Sequence, residues 1–158
     1  MNTVVIGIGN PYRRDDGVGL AVATAVRELA LPGVRVLLGI EDPASLLDAW
    51  SGAELALLID AATASQSIPG RIRRVTANDV GSVRGMSSHT LDVAEAFALG
   101  QALGRVPYQL VVLTVEADDF GFGVGLTPKV AAAVPDVVAS VIAEIAGRSA
   151  NQQDSCFT

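Results

Sequence analysis

Apolar residues occur along this chain in two patterns that take turns from one end to the other. Short runs rich in β-branched residues predict buried strands at residues 3–8, 34–39, 55–59 and 109–115. Charged and apolar residues alternate at 71–75, which predicts an exposed edge strand. Helical spacing predicts helices that begin near residues 17, 43, 89 and 128. This alternation predicts an α/β fold: a single three-layer domain whose mostly parallel, twisted sheet of about five strands carries helices on both faces.

The last predicted helix has a clear start and an internal proline. Thr127 and Pro128 match an N-cap residue followed by proline at the first helical position. Pro135 lies within the apolar stripe of the helix and is expected to kink or split it, since proline lacks a backbone N–H. The sequence after it is polar. We therefore expect one domain at residues 1–147 and a flexible tail at residues 148–158.

Composition and charge narrow the function classes. Half of the residues are hydrophobic and the mean hydropathy is +0.43, yet charged residues, glycine or proline interrupt each apolar run. We therefore expect no membrane span, which needs about 20 apolar residues. With 17 acidic and 11 basic residues the net charge is −6, which disfavours nucleic acid as a partner. Residues 1–4 lack a basic n-region and lead directly into a strand pattern, so we expect no signal peptide. The single cysteine, Cys156, fits a reducing compartment, so we expect a cytoplasmic protein.

Three side chains are candidates for chemistry at the carboxyl ends of the predicted strands. In a doubly wound sheet, ligands bind beyond these ends, near the point where the strand order reverses. Asp16 follows the first strand, Asp60 follows the third, and His89, the only histidine, precedes a helix. Together they form an oxygen and nitrogen set suited to a borderline divalent ion such as nickel or zinc.

Each of these residues also has a structural interpretation. Asp15 and Asp16 stand at a helix start, where acidic residues cap free N–H groups. Asp60 is compatible with an ordinary loop residue after a strand, and a lone histidine is more often structural than functional. A dinucleotide site is disfavoured, because Tyr12 occupies the third glycine position of the fingerprint and the two aspartates would repel phosphate.

Several short motifs follow one another in a fixed order across nearly the whole chain. They are Gly7-Ile8-Gly9-Asn10, Asp15-Asp16-Gly17-Val18-Gly19, Ile59-Asp60-Ala61, Ser88-His89 and Gly125-Leu126-Thr127-Pro128. In this order and spacing the chain resembles the hydrogenase maturation proteases, the peptidases that process the large subunit of nickel-iron hydrogenases.

The resemblance implies a five-stranded sheet between helices and a cleft with three metal-contacting positions. Carried over to this sequence, these positions are Asp16, Asp60 and His89, in both the catalytic and the metal-contacting roles. The implied activity is removal of the C-terminal extension of a nickel-loaded hydrogenase large-subunit precursor. The nickel belongs to that precursor, so no permanently bound cofactor is expected, and a monomer is favoured. A nearby carboxylate or a metal-bound water would attack the peptide bond.

One segment departs from the pattern of that family. Many relatives carry a glycine-rich loop after the second strand, whereas this chain has Leu38-Gly39-Ile40-Glu41-Asp42. A single glycine remains, which leaves open which precursor is cut. Glu41 is a candidate for an additional acid in the cleft.

Three alternative functions remain open at this point. A nickel-centre chaperone that does not cleave would use the same three residues. A peptidyl-tRNA hydrolase-like esterase also begins with a G-x-G-N-P turn, but such an enzyme needs a basic face and this chain has a pI near 4.6. In a purely structural domain, the acidic residues would only cap helices.

Overall fold

The fold is known from a computed structural model, which describes residues 2–40, 42–63, 66–77 and 89–154. Of residues 89–92 and 148–154 only the backbone is described. Glu41 and Cys156, for which the sequence suggested an extra cleft acid and a reduced thiol, lie outside the described residues.

Strands and helices follow one another in the predicted order, with two consecutive strands before the third helix. The strands are β1 (Thr3–Gly7), β2 (Val34–Leu38), β3 (Leu55–Ala62), β4 (Ile72–Thr76) and β5 (Gln109–Glu116). The helices are α1 (Val18–Glu28), α2 (Pro43–Trp50), α3 (His89–Leu103) and α4 (Pro128–Asp154), with a 3₁₀ helix at Arg14–Gly17. Helix α2 begins as its sequence predicts, since the Asp42 side chain accepts a hydrogen bond from the Ser45 N–H at 2.9 Å.

The five strands form one sheet in the order β2-β1-β3-β5-β4. All neighbours are parallel except β4, which runs antiparallel to β5 at the edge. The predicted α/β class and the exposed edge strand are therefore confirmed. From β1 the chain goes outward to β2 and then returns to β3 on the other side of β1, so the strand order reverses between β1 and β3.

Two hydrophobic cores cover the two faces of the sheet. Successive residues of β3 point to opposite faces, so Leu57 and Ile59 join the core under α1 and α4, while Leu58 joins the core under α2 and α3. The same alternation places Asp60 on the α2–α3 side. Trp50 is the largest fully buried side chain and fills the second core.

Helix α4 is continuous from Pro128 to Asp154 and contains Pro135. Of the two outcomes expected for this proline, a kink or a split, the split does not occur: the proline removes one N–H from the hydrogen-bond ladder, and the packing of the buried face on the sheet holds both halves in one helix. Residues 128–147 are long and apolar enough to cross a membrane by length and composition alone. Val130, Val137 and Val141 of this stretch are fully buried in the first core. The predicted boundary at residue 147 stays a prediction.

Glycines bring the end of β1 and the start of α1 into direct backbone contact. A Cβ atom on Gly7 would lie 2.5 Å from the Gly19 carbonyl oxygen, and one on Gly19 would lie 2.3 Å from the Ile59 carbonyl oxygen. Gly9 has φ +137°, and a Cβ there would lie 1.8 Å from the Asp16 carbonyl oxygen. The glycine-rich motif therefore serves the close packing of three backbone segments.

Candidate active site at the carboxyl edge of the sheet

Buried carboxylates gather at the carboxyl ends of the parallel strands. In the described part of the chain the buried acidic residues are Asp15, Asp16, Asp60 and Glu116. Burial of a carboxylate is costly unless hydrogen bonds, opposite charges or a metal ion compensate. The compensating groups therefore indicate which carboxylates hold the fold together and which are placed for chemistry.

Asp60 lies on the central strand, where the sheet extends beyond the end of β1. Gly7, the last residue of β1, pairs with Ile59, and Asp60 pairs with Thr114 of β5. The sequence placed Asp60 at the strand terminus, but β3 continues through Ala62 because β5 accompanies it on the other side. The carboxylate is 3% exposed and its Oδ1 accepts a hydrogen bond from the Ala61 N–H at 2.8 Å.

Asp16 belongs to the 3₁₀ helix that follows β1. Its Oδ2 accepts a hydrogen bond from the Asn10 N–H at 2.9 Å, and the Asn10 side-chain oxygen accepts one from the Tyr12 N–H at 2.9 Å. These two bonds close the segment from Asn10 to Asp16 on itself. The 3₁₀ helix also contacts β3. Asp16, on the connection after β1, and Asp60, within β3 near its carboxyl end, therefore flank the point where the strand order reverses.

Asp15 has a different function in the structure: it anchors a distant loop. Its Oδ2 accepts hydrogen bonds from the N–H groups of Asp118 and Asp119 at 2.9 and 3.0 Å. The Thr127 N–H and hydroxyl donate to Oδ1 and Oδ2 at 2.8 and 2.7 Å. The Asp15 N–H itself donates to the Asp119 carbonyl oxygen at 3.0 Å. Asp15 thus joins the 3₁₀ helix to both ends of the segment between β5 and α4.

These contacts change the acidity of Asp15. Burial is the largest single influence and by itself raises the pKa of the carboxyl group. The hydrogen bonds from Thr127, Asp119 and Asp118 stabilise the ionised form and together outweigh burial, so the pKa lies below its usual value. Asp15 is therefore ionised at neutral pH.

The expectation that the two aspartates cap a helix is wrong. The N-cap of α1 is Gly17, and neither the 3₁₀ helix nor α1 has a side-chain cap. The long-range donors near Asp15 replace the local N–H groups that capping would have used. Thr127 stands directly before α4 as predicted, but its hydroxyl donates to Asp15.

Glu116 ends β5 and was not singled out from the sequence. The Arg71 guanidinium donates to both of its oxygens, with Nη2 at 2.8 Å from Oε1, and Arg73 lies 3.8 Å from Oε1. The Arg71 hydrogen bond is the main cause of a Glu116 pKa below its usual value, against the effect of burial. An acid at the end of an apolar strand and an arginine cluster were both visible in the sequence, but their pairing was not.

His89 begins helix α3, as the sequence predicts. Its side chain lies outside the described residues. Among the side chains that the structure describes, no three His, Cys, Asp or Glu residues form a group that could hold a metal ion. The three predicted site residues thus come from β3, the 3₁₀ helix after β1 and the first position of α3, and Asp60 faces the α2–α3 side of the sheet.

An open pocket of about 440 Å³ lies at the other end of the strands from these carboxylates. Thr76, Phe97, Pro107 and Tyr108 are among its lining residues. It sits where β5 begins, away from the buried carboxylates. In doubly wound sheets ligands bind at the carboxyl ends of the strands, so the end that carries the buried carboxylates is the better candidate for the functional site.

A doubly wound sheet with buried carboxylates at the reversal point belongs to the class of α/β proteins that bind ligands beyond the carboxyl ends of their strands. The sequence profile of the hydrogenase maturation proteases (HycI) matches residues 21–144. The chain belongs to this family, as its motifs predicted, and is therefore a peptidase of hydrogenase maturation.

Individual relatives agree with this assignment. The hydrogenase 2 maturation protease of Escherichia coli K12 is 24% identical over 149 residues, which cover 92% of this chain and 91% of that protein. The structure of the maturating endopeptidase HybD from E. coli superimposes with a TM-score of 0.85 at 22% identity, with 94% of each chain covered. The [NiFe] hydrogenase maturation protease HybD from Thermococcus kodakarensis gives 0.71 at 26% identity, with 91% of this chain and 97% of that chain covered.

Proposed function

We propose that this protein removes the C-terminal extension of a nickel-loaded [NiFe]-hydrogenase large-subunit precursor in the cytoplasm, and that the nickel of the precursor is the recognition element. The observation that supports this proposal is that two buried carboxylates flank the reversal of strand order: Asp16 in the connection after β1 and Asp60 near the carboxyl end of β3. Membership of the protease family supplies the reaction class, hydrolysis of a peptide bond.

In this proposal Asp16, Asp60 and His89 contact the precursor's nickel. Two carboxylates and an imidazole are a donor set that a borderline divalent ion accepts. Both carboxylates are nearly inaccessible to solvent, so an arriving cation gains more from them than it would in water. The metal arrives with the substrate and leaves with the product. The protease adds only side-chain ligands to those that the precursor already provides.

Hydrolysis also needs a group that accepts a proton from the attacking water. A carboxylate close to the scissile bond can take this role, and general-base catalysis contributes about 10²–10⁴-fold to a rate. Asp16 and Asp60 are the candidates. Asp15 is not, because its four hydrogen bonds commit both oxygens to the anchor.

The test is mass spectrometry of a purified nickel-loaded large-subunit precursor after incubation with the protein and with its Asp16→Asn variant. We expect loss of a C-terminal peptide with the parent protein only, and only when nickel is present. Equal cleavage by both proteins would remove Asp16 from the essential site. An intact, verified cognate precursor with either protein would instead favour a chaperone that binds the nickel centre without cutting.

A further inference from the structure

Three large apolar side chains stand in solvent beside the candidate site. Tyr12 is 69% exposed, Phe122 91% and Val124 74%. They lie on two segments that run side by side: the Gly123 N–H donates to the Tyr12 carbonyl oxygen at 2.9 Å, and the Arg14 N–H donates to the Gly123 carbonyl oxygen at 3.0 Å. We refer to Tyr12, Phe122 and Val124 as the apolar platform.

The platform is held in place from below. Phe120 and Leu126, on either side of the exposed pair in the loop, pack against the first hydrophobic core. The four hydrogen bonds of Asp15 fix both ends of the same loop. The exposed apolar side chains are thus presented by an anchored backbone, and a partner that covers them has less ordering entropy to overcome.

The platform is also continuous with the candidate site. The Tyr12 N–H donates to the Asn10 side chain, and the Asn10 N–H donates to the Asp16 carboxylate, each at 2.9 Å. A protein that covers Tyr12 therefore contacts a residue that two consecutive hydrogen bonds link to the Asp16 carboxylate. Because the proposed function brings the precursor to Asp16, the precursor is the partner that reaches this surface.

The size and charge of the platform fit a transient partner. Two aromatic side chains and one valine bury on the order of 400 Å² on one partner, below the roughly 800 Å² per partner of a stable interface. Among the neighbouring charges, Arg13 and Arg14 are balanced by Asp118 and Asp119, so the contact depends on apolar burial rather than on electrostatic attraction.

We propose that the apolar platform binds the hydrogenase precursor through an apolar segment next to its cleavage point and so directs that segment to Asp16. This inference rests on the proposed function and adds the surface through which the substrate is held. It concerns binding of the polypeptide, whereas Asp16, Asp60 and His89 concern the nickel.

The test measures cleavage kinetics and equilibrium binding of the purified nickel-loaded precursor with Phe122→Ser and Tyr12→Ser. The matched control is Tyr108→Ser, since Tyr108 is 84% exposed but lies directly before β5, at the other end of the strands from the platform. For each platform variant we expect KM and Kd to rise about tenfold, kcat to stay within about twofold, and high salt to leave the difference unchanged. The control should match the parent in every value.

Each other outcome has a defined meaning. If the parent cuts but the platform variants keep the parental KM and Kd, the platform inference is wrong and the proposed function stands. If the parent does not cut, the proposed function falls, and the Kd values alone decide whether the platform binds the precursor. If sedimentation shows a dimer that Phe122→Ser dissociates while Kd is unchanged, the platform belongs to self-association and the inference is overturned.

Discussion

Asp15 and Asp16 are adjacent and both buried, yet they belong to two regions with different tasks. Asp15 faces the loop between β5 and α4 and accepts four hydrogen bonds from it. Asp16 faces the turn after β1, beside the point where the strand order reverses. Burial of an acid therefore does not by itself identify a candidate for catalysis, and the element that faces the carboxylate separates the anchoring Asp15 from the candidate Asp16.

The largest expected effect is on the reversal-point side. The Asp60→Asn variant keeps an oxygen for the Ala61 N–H but loses the negative charge, so we expect cleavage of the nickel-loaded precursor to fall by at least about 100-fold. The initial rate of peptide release measures this effect. Asp118→Asn, the same replacement at an exposed acid, should keep the parental rate. A rate for Asp60→Asn near that of the parent would remove Asp60 from the site.

Changes at the anchor, which consists of Asp15 and its hydrogen bonds to the loop between β5 and α4, should lower the free energy of unfolding. Asp15→Asn places an amide where at least one donor now points, and we expect the free energy of unfolding to fall by about 3 kcal/mol. Urea denaturation followed by circular dichroism measures this change. In the same assay Asp118→Asn should stay within about 0.5 kcal/mol of the parent. Equal stability of all three proteins would contradict the anchor.

A smaller change tests one bond of the anchor. Thr127→Val keeps the shape and the backbone donor but removes the hydroxyl that donates to Asp15 at 2.7 Å. We expect a loss of about 1 kcal/mol of unfolding free energy, and Thr127→Ser should restore part of it because it keeps the hydroxyl. If serine and valine are equally destabilising, the hydroxyl is not the cause.

The smallest expected effect is on the pH dependence of the free energy of unfolding. The pKa values of Asp15 and Glu116 are lower in the folded protein than their unfolded values of 3.8 and 4.5. Their stabilisation is therefore complete above those values and is lost as the pH falls from about 4.5 through the folded pKa values. Urea unfolding at a series of pH values should show this decline, with a shallower slope for Asp15→Asn. Identical slopes would show that Asp15 does not contribute to acid unfolding.

Much of this fold was predictable because its signals are local. The β-branched runs, the start of α2 near residue 43 and the start of α3 at His89 each depend on neighbouring residues, and the structure has all of them. The alternation of strands and helices predicts a doubly wound sheet, whereas the strand order that fixes the reversal point comes from the structure. The placement of Asp16 and Asp60 beside it needed only the general rule for doubly wound sheets.

The anchor was not predictable, because its partners are distant in sequence. Asp15 and Thr127 are 112 positions apart, and Arg71 and Glu116 are 45 apart. Thr127 keeps its predicted position before α4, and its hydroxyl also donates to Asp15. Locally, Asp15 resembles a capping residue, but a tertiary contact takes the place of that role. The same holds for Pro135, where packing of α4 on the sheet overrides the helix-breaking tendency of proline.

The tightly packed glycines near Asp16 show that different constraints act on the residues that shape the turn and on the residue that carries the carboxylate. Gly7 and Gly19 leave no space for a methyl group, so any descendant of this chain must retain them to build the turn at all. Asp16 is under no such steric demand. A gene copy that drifts could therefore keep the glycine signature, fold normally and exchange Asp16 for another residue, so motif searches based on glycines alone report the fold and carry no information about Asp16.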